Sequence, residues 1–133
     1  MPLLSANIIL CENVLTEKTE MSSAIRLLDV LRLAPGTNNA HLFAITRVYS
    51  QPGDFGQHTL RITANDRNAG LITQAPDYRF QYGYRIDPSG PGGFVLTTEF
   101  NIDVSLLRLP TTCVVNAFLD SQLVAHTPLT LSR

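Results

Sequence analysis

The feature that most constrains the fold of this chain is a long alternation of side chains between residues 94 and 106. The side chains of one face are mostly apolar, namely Phe94, Leu96, Thr98, Phe100, Ile102, Val104 and Leu106. Those of the other face are mostly polar, namely Val95, Thr97, Glu99, Asn101, Asp103 and Ser105. A period of two predicts a β-strand, and its apolar face needs a second layer of structure to cover it. We therefore expect a β-sandwich.

Strand patterns recur along the rest of the chain, separated by turn-forming residues. Residues 41–49 are apolar on nearly both faces, which predicts a central strand. The other predicted strands are 7–11, 58–65 (with Thr63 facing outward), 71–73, 79–86, 112–119 and 122–131. Turns are expected at 66–70, where Asn or Gly takes a positive φ, at 87–93 and at 120–121. About eight short strands with frequent turns are typical of an antiparallel sandwich.

Residues 24–33 are ambiguous from periodicity alone. As a helix, the segment has Ser22 or Ser23 as a cap and an apolar stripe of Ile25, Leu28 and Leu31. As a strand, it has apolar residues on both faces. The pattern favours the helix slightly, and Pro35-Gly36 ends either element.

The order of these features resembles a family of small bacterial proteins that is catalogued only as a domain of unknown function. The matching stretches read SAIRLLDVL (23–31), GQHTLRITANDRNAG (56–70) and FLDSQLVAHTPLTL (118–131). Where the family has a Gly-x-Tyr turn marker before the penultimate strand, this chain has Thr111-Thr112-Cys113. The resemblance implies a single-domain immunoglobulin-like sandwich in which 24–33 is a strand. It implies no catalytic residue.

Length, charge and the cysteines narrow the possible classes of function. The chain has 133 residues, enough for one domain, and a net charge of −1, which argues against nucleic-acid binding. Its start, MPLLSANIILCEN, lacks the basic region of a signal peptide, and its apolar run is too short to span a bilayer. We expect a cytoplasmic protein without a membrane partner, in which Cys11 and Cys113 are buried, reduced thiols.

No residue pattern indicates catalysis, a cofactor or a metal. The three histidines, His41, His58 and His126, are separated in sequence and are interpreted as surface or turn residues. The loop aspartates Asp54, Asp66 and Asp87 are interpreted as turn formers and not as a calcium site. Core packing is expected of the aromatic residues Phe80, Tyr82, Tyr84, Phe94 and Phe100. No nucleophile motif occurs, and burial should make Cys113 inert.

These observations predict a non-enzymatic module that binds another protein chain or itself. The two segments expected at sheet edges, 7–11 and 122–131, carry few charges, so a homodimer or partner complex is expected. Pro128 points to an edge strand as well, since it has no ladder donor. A monomer whose first strand and 12–24 loop cover the edges is the competing interpretation. The alternative function is a small-ligand or carbohydrate-binding sandwich with its site at the loop end.

Overall fold

The structure is a computed structural model that describes residues 5–16, 22–50, 56–82 and 92–133. Within these ranges the chain forms ten strands and no helix, so the all-β prediction is confirmed. The strands are β1 (Ser5–Thr16), β2 (Ser22–Leu27), β3 (Val30–Arg32), β4 (Asn39–Ser50), β5 (Gly56–Asn65), β6 (Leu71–Gln74), β7 (Tyr78–Tyr82), β8 (Gly92–Asp103), β9 (Thr111–Leu119) and β10 (Gln122–Ser132).

The ten strands form two sheets. The first has the order β2-β1-β4-β8, and all its neighbours are antiparallel. The second has the order β3-β10-β9-β5-β6, with β7 also paired to β5, and β3 runs parallel to β10. Across the sandwich β1 contacts β10, and β8 contacts β6. The two sheets form a β-sandwich, as expected, but the parallel β3–β10 pair makes the second sheet mixed and not purely antiparallel.

One hydrophobic core lies between the sheets because each long strand alternates its side chains between core and solvent. In β4 the inward residues Leu42, Ala44 and Val48 are fully buried, as are Val115 and Ala117 in β9. The predicted inward residues of β5 are also in the core, namely Leu60, Ile62 and Ala64. The central position predicted for 41–49 is confirmed, since β4 lies between β1 and β8.

The ambiguous segment 24–33 is extended, so the helix interpretation was wrong, but it forms two strands and not one. β2 belongs to the first sheet and β3 to the second, and the chain changes sheets at Leu28 and Asp29. The Leu28 amide donates to the Leu10 carbonyl (2.8 Å) on one side of the break, and the Thr130 amide donates to the Asp29 carbonyl (2.9 Å) on the other. The apolar residues of 24–33 are therefore divided between the two sheets, so no single strand period runs through the whole segment.

The strand expected over 94–106 ends earlier, at Asp103. The Asp103 carboxylate accepts a hydrogen bond from the Ser105 amide (2.9 Å), which turns the chain. This hydrogen bond is also the main reason that the pKa of Asp103 is lowered. Val104 remains buried, but Leu106 is 95% exposed, so its predicted inward position was wrong. The rest of the alternation holds, with Phe100 and Ile102 buried and Thr97, Glu99 and Asn101 exposed.

The turns predicted at 66–70 and 120–121 are present, but the positive φ expected of Asn or Gly at 66–70 falls on another residue. At 66–70 the Asp66 carboxylate accepts from the amides of Asn68 (2.9 Å) and Gly70 (2.8 Å), and Ala69 takes the positive φ of 62°. At 120–121 both Asp120 and Ser121 have positive φ, as a two-residue hairpin requires.

Two other positions differ from the expectation. Thr63 was expected to face solvent, yet it is only 6% exposed, because it donates to the side chain of Asn65, which Asn116 also contacts. The strand predicted at 7–11 extends over Ser5–Thr16. β4 pairs with residues 5–11, and β2 pairs with the other side only from Cys11 onward, so the expected edge position is overturned for the second half of β1 alone.

Pro128 lies where no ladder donor is needed, as predicted. The amide of Thr130, two residues along β10, points to the β3 side, so position 128 points the same way. The pairing of β3 with β10 begins only at Thr130. The predicted strand residues 83–86 and most of the 87–93 turn lie outside the described residues.

Candidate interaction surface

The solvent-facing side of the first sheet carries a continuous group of apolar side chains. The register places Ile9 opposite Ile45, and Cys11 opposite both Phe43 and Leu27. On the other side of β4, Val95 lies opposite Arg47, one row from Ile45. Leu27, Val95 and Ile9 are 67%, 46% and 45% exposed. We call these residues the outer strip: Ile9, Leu27, Phe43, Ile45 and Val95.

Cys11 lies on the same face as the outer strip, yet it is fully buried and does not belong to the core cluster between the sheets. Its neighbours in the row, Phe43 and Leu27, are large enough to cover its small side chain. Cys113 lies instead in the core. The predicted burial of both thiols is confirmed, and the two do not form a disulfide.

Polar groups border the outer strip. At one end of β4 the His41 Nε2 atom lies 2.5 Å from Glu99 Oε1, and the His41 ring packs edge-on against Phe43 with a centroid distance of 5.3 Å. At the other end Arg47 is exposed. An apolar centre with a polar rim is the usual anatomy of a protein–protein interface.

The outer face of the second sheet is mixed: Val30 of β3 and Leu71 of β6 are 43% and 60% exposed, and polar groups lie among these apolar residues. Arg61 donates two hydrogen bonds of 3.0 Å to the Asp77 carboxylate, which lowers the pKa of Asp77. Thr112 and Thr130 hydrogen bond to each other at 3.3 Å on the same face. Leu123 is 49% exposed there, but it lies at the end of β10 beside the 120–121 turn. Val30 and Leu71 lie opposite the polar residues Thr130 and Asn65, so they are separated from each other by polar side chains.

His58 is the histidine with the most contacts. Its Nδ1 atom lies 2.6 Å from Asp120 Oδ2, while Asp120 Oδ1 accepts from the Thr59 amide (3.0 Å). The Asp120 amide donates to the Thr59 carbonyl in return (3.0 Å). These bonds fasten the β9–β10 turn to β5, so His58 is a turn-satisfied histidine, as predicted. Its buried Nε2 atom has no hydrogen-bond partner among the described residues.

A shallow hollow of about 600 Å³ lies along β5 and β7. Its lining includes the side chains of two strands in register, Gln57 opposite Gln81 and Thr59 opposite Arg79. Phe80, between Arg79 and Gln81, packs its ring against His58 (5.6 Å) and Tyr78 (6.1 Å) and joins the edge of the core. The hollow is mainly polar and provides donors and acceptors for a hydrophilic ligand.

The remaining residues singled out in the sequence are not brought together. His126 is exposed on β10, and Asp66 is occupied by its turn. Asp54, Asp87, Tyr84 and the side chains of Tyr82 and Phe94 lie outside what the structure describes. Phe100 is buried in the core, as expected. Within the described ranges, no three His, Cys, Asp or Glu residues are close enough to hold a metal ion.

The comparisons with known proteins add no relative. The sequence matches no protein family and no curated protein. Among the described residues, no helix is long and apolar enough to cross a membrane.

Proposed function

We propose that this protein is a non-enzymatic interaction module whose outer strip is covered by another protein chain. The observation that carries the proposal is the register of the first sheet, which places Ile9 beside Ile45 and Cys11 between Phe43 and Leu27, whereas the exposed Val30 and Leu71 of the second sheet lie opposite the polar Thr130 and Asn65. Soluble proteins rarely leave an extended apolar patch exposed unless it binds a partner. The resemblance to a small bacterial family of unknown function is compatible with this role.

Covering the strip favours association because its side chains leave water. Each fully buried Leu, Ile or Val contributes on the order of 1.5–3 kcal/mol. Leu27, Val95 and Ile9 are 67%, 46% and 45% exposed in the free chain, so about half or more of that contribution is still to be gained when a partner covers them. Little charge opposes contact, because the net charge of the chain is −1. The binding energy is therefore expected to come from Leu27, Ile9 and Val95.

Site-specific photo-crosslinking in the cells that encode the protein tests this role. A photoreactive phenylalanine analogue at position 27, within the strip, should form adducts with a second chain. The same analogue at position 123, which is 49% exposed on the second sheet, is the matched control. Adding Ile9→Lys should reduce the adducts at position 27 by about tenfold or more, since it places a charge inside the interface.

Mass spectrometry of the adducts identifies the partner chain. Equal adduct patterns at positions 27 and 123, or adducts that Ile9→Lys leaves unchanged, would contradict the proposal. Circular dichroism of Ile9→Lys checks that the sandwich is still folded.

A hydrophilic ligand at the β5–β7 hollow is the second candidate function. Two amides, a hydroxyl and a guanidinium point to a polar ligand such as a carbohydrate. The hollow is open and mainly polar, whereas most ligand sites are enclosed and predominantly apolar. The outer strip is therefore the stronger candidate.

A further inference from the structure

β8 lies at one edge of the first sheet. β8 pairs with β4 over Gly92–Asp103, and within the described part of the chain no strand pairs with its other side, which we call the outer edge. Proteins usually protect such an edge with proline, lysine, a bulge or a short strand. The four sheet edges of this sandwich differ in how well they are protected.

The other edges carry more of this protection, although the β2 pairing covers only residues 11–16 of β1. β2 and β3 are short, with six and three residues. β10 carries a bulge between Leu123 and Ala125, contains Pro128 and is covered by β3 at its end. The edge formed by β6 and β7 is interrupted by residues 75–77, which include Pro76.

β8 carries almost none of this protection. It has twelve residues, no proline and no lysine, and its register with β4 is continuous from Gly92 to Asp103. Glu99 is the charge nearest the middle of the strand, and its carboxylate is held by His41 of β4, on the side away from the outer edge. The charge that could repel an incoming strand is therefore directed back into the chain's own sheet.

The hydrogen-bonding groups at the outer edge follow from the ladder. The Val104 amide donates to the Asn38 carbonyl (2.8 Å), so it points to the β4 side. Because amides alternate between the two sides of a strand, the even-numbered residues of β8 direct their amides to β4 and the odd-numbered residues direct theirs away from it. Val95, Thr97, Glu99 and Asn101 therefore direct their amides and carbonyls to the outer edge. Their side chains are exposed, while the inward Leu96 and Thr98 are half-buried.

We propose that a second copy of this chain pairs antiparallel with β8 along this outer edge, giving one continuous eight-stranded sheet. The inference deepens the proposed function and rests on it: the two outer strips come to lie on the same face of the joined sheet, where they present a doubled surface to a partner.

β8 is complementary to itself in this arrangement. A two-fold axis at Thr97, near the middle of the strand, pairs residues 92–102 of both copies and keeps inward residues opposite inward residues. Glu99 then lies opposite Val95 of the other copy and not opposite its own counterpart, so no like charges meet. Leu96 and Thr98 lie opposite each other and cover their remaining exposed surface. Because the net charge is −1, two copies repel each other weakly.

Cysteine crosslinking on the purified full chain tests the register. In Thr97→Cys the two thiols lie on the axis, where paired strands have Cα atoms about 5.5 Å apart, within the range for a disulfide. The matched control is Asn101→Cys, which is exposed on the same strand but lies opposite Gly93 of the other copy. We expect disulfide-linked dimer to form at least about tenfold faster from Thr97→Cys than from Asn101→Cys or the unmodified chain.

Sedimentation velocity across a dilution series gives the second readout. The unmodified chain should sediment as a dimer at micromolar concentration, Thr97→Lys as a monomer, and Ile9→Lys still as a dimer. A monomeric unmodified chain, or equal crosslinking of the two cysteine variants, would overturn the β8 pairing. If the β8 pairing fails in this way, adducts at position 27 would still support the proposed interaction module. If the chain is a dimer but position 27 forms no adducts, the β8 pairing stands and the proposed function of the outer strip is contradicted.

Discussion

At the scale of single residues, Cys113 makes stability depend on pH. Burial raises the pKa of this thiol from its ordinary 9.0 to about 11. The unfolded chain therefore releases the proton at a lower pH than the folded chain does. Between about pH 9 and 11 the unfolded state binds fewer protons, so the contribution of Cys113 to the free energy of unfolding falls as pH rises, by about 1 kcal/mol per pH unit or less.

Urea unfolding at pH 8, 9 and 10 measures this effect when the unmodified chain is compared with Cys113→Ala. The variant is expected to lose stability at pH 8 because it leaves a small cavity, and the difference between the two proteins should shrink as pH rises. A difference that stays constant from pH 8 to 10 would show that the thiol does not titrate as expected.

The sequence predicts individual residues well where the strand period holds and fails where a side chain bonds its own backbone. The burial of Cys113 and Ile102 follows from alternation alone. Leu106 breaks the pattern because the Asp103 carboxylate caps the strand end and turns the chain. Ala69 takes a positive φ because the Asp66 carboxylate holds the amides on both sides of it. An Asp three residues before an apolar residue is too common in sequences to predict either the end of a strand or a positive φ.

At the scale of strands, β8 gives a sharp test of ladder direction. The amide of Thr97 points to the outer edge, whereas that of Thr98 donates within the ladder with Ala44 of β4. Proline removes the amide hydrogen, so in the monomeric chain Thr97→Pro should keep all its bonds to β4 and lose only the proposed bond to a second copy, whereas Thr98→Pro should lose a ladder bond. We expect Thr98→Pro to lower the free energy of unfolding by about 1–3 kcal/mol more than Thr97→Pro. Chemical denaturation of both variants measures the difference, and equal losses would refute the assigned direction.

Strand existence could be predicted from the sequence, but the neighbours of each strand could not. A period of two identifies β5 and β8, and β4 is identified by strand-forming residues that are apolar on nearly both faces. Residues 24–33 were ambiguous because Leu28 and Asp29 carry the chain from one sheet to the other. The first strand was expected at an edge, and nothing local indicates that β2 covers its second half, residues 11–16. Pairing partners depend on contacts between residues far apart in the chain, and these leave no local signature.

The candidate surface belongs to the scale of the whole molecule. Ile9, Ile45 and Thr97 form one row of the first sheet although they are far apart in sequence. Each is an ordinary outward residue of its own strand, and the strip exists only once the register brings the rows together. For this reason the prediction from sequence places a bound chain at 7–11 and 122–131, whereas our proposals place it on the outer strip and along β8.

The two sheets share one core, so we expect them to unfold as a single unit. Leu42 of the first sheet and Leu60 of the second are both buried in the same cluster. Leu42→Ala and Leu60→Ala should each lower the free energy of unfolding by about 2–5 kcal/mol. The chain contains no tryptophan, so Phe43→Trp and Phe118→Trp provide one fluorescent reporter for each sheet. Both reporters should give the same midpoint in urea, and either leucine substitution should shift both midpoints equally. A Leu42→Ala shift seen by the reporter on β4 but not by the one on β9 would mean that the sheets unfold separately.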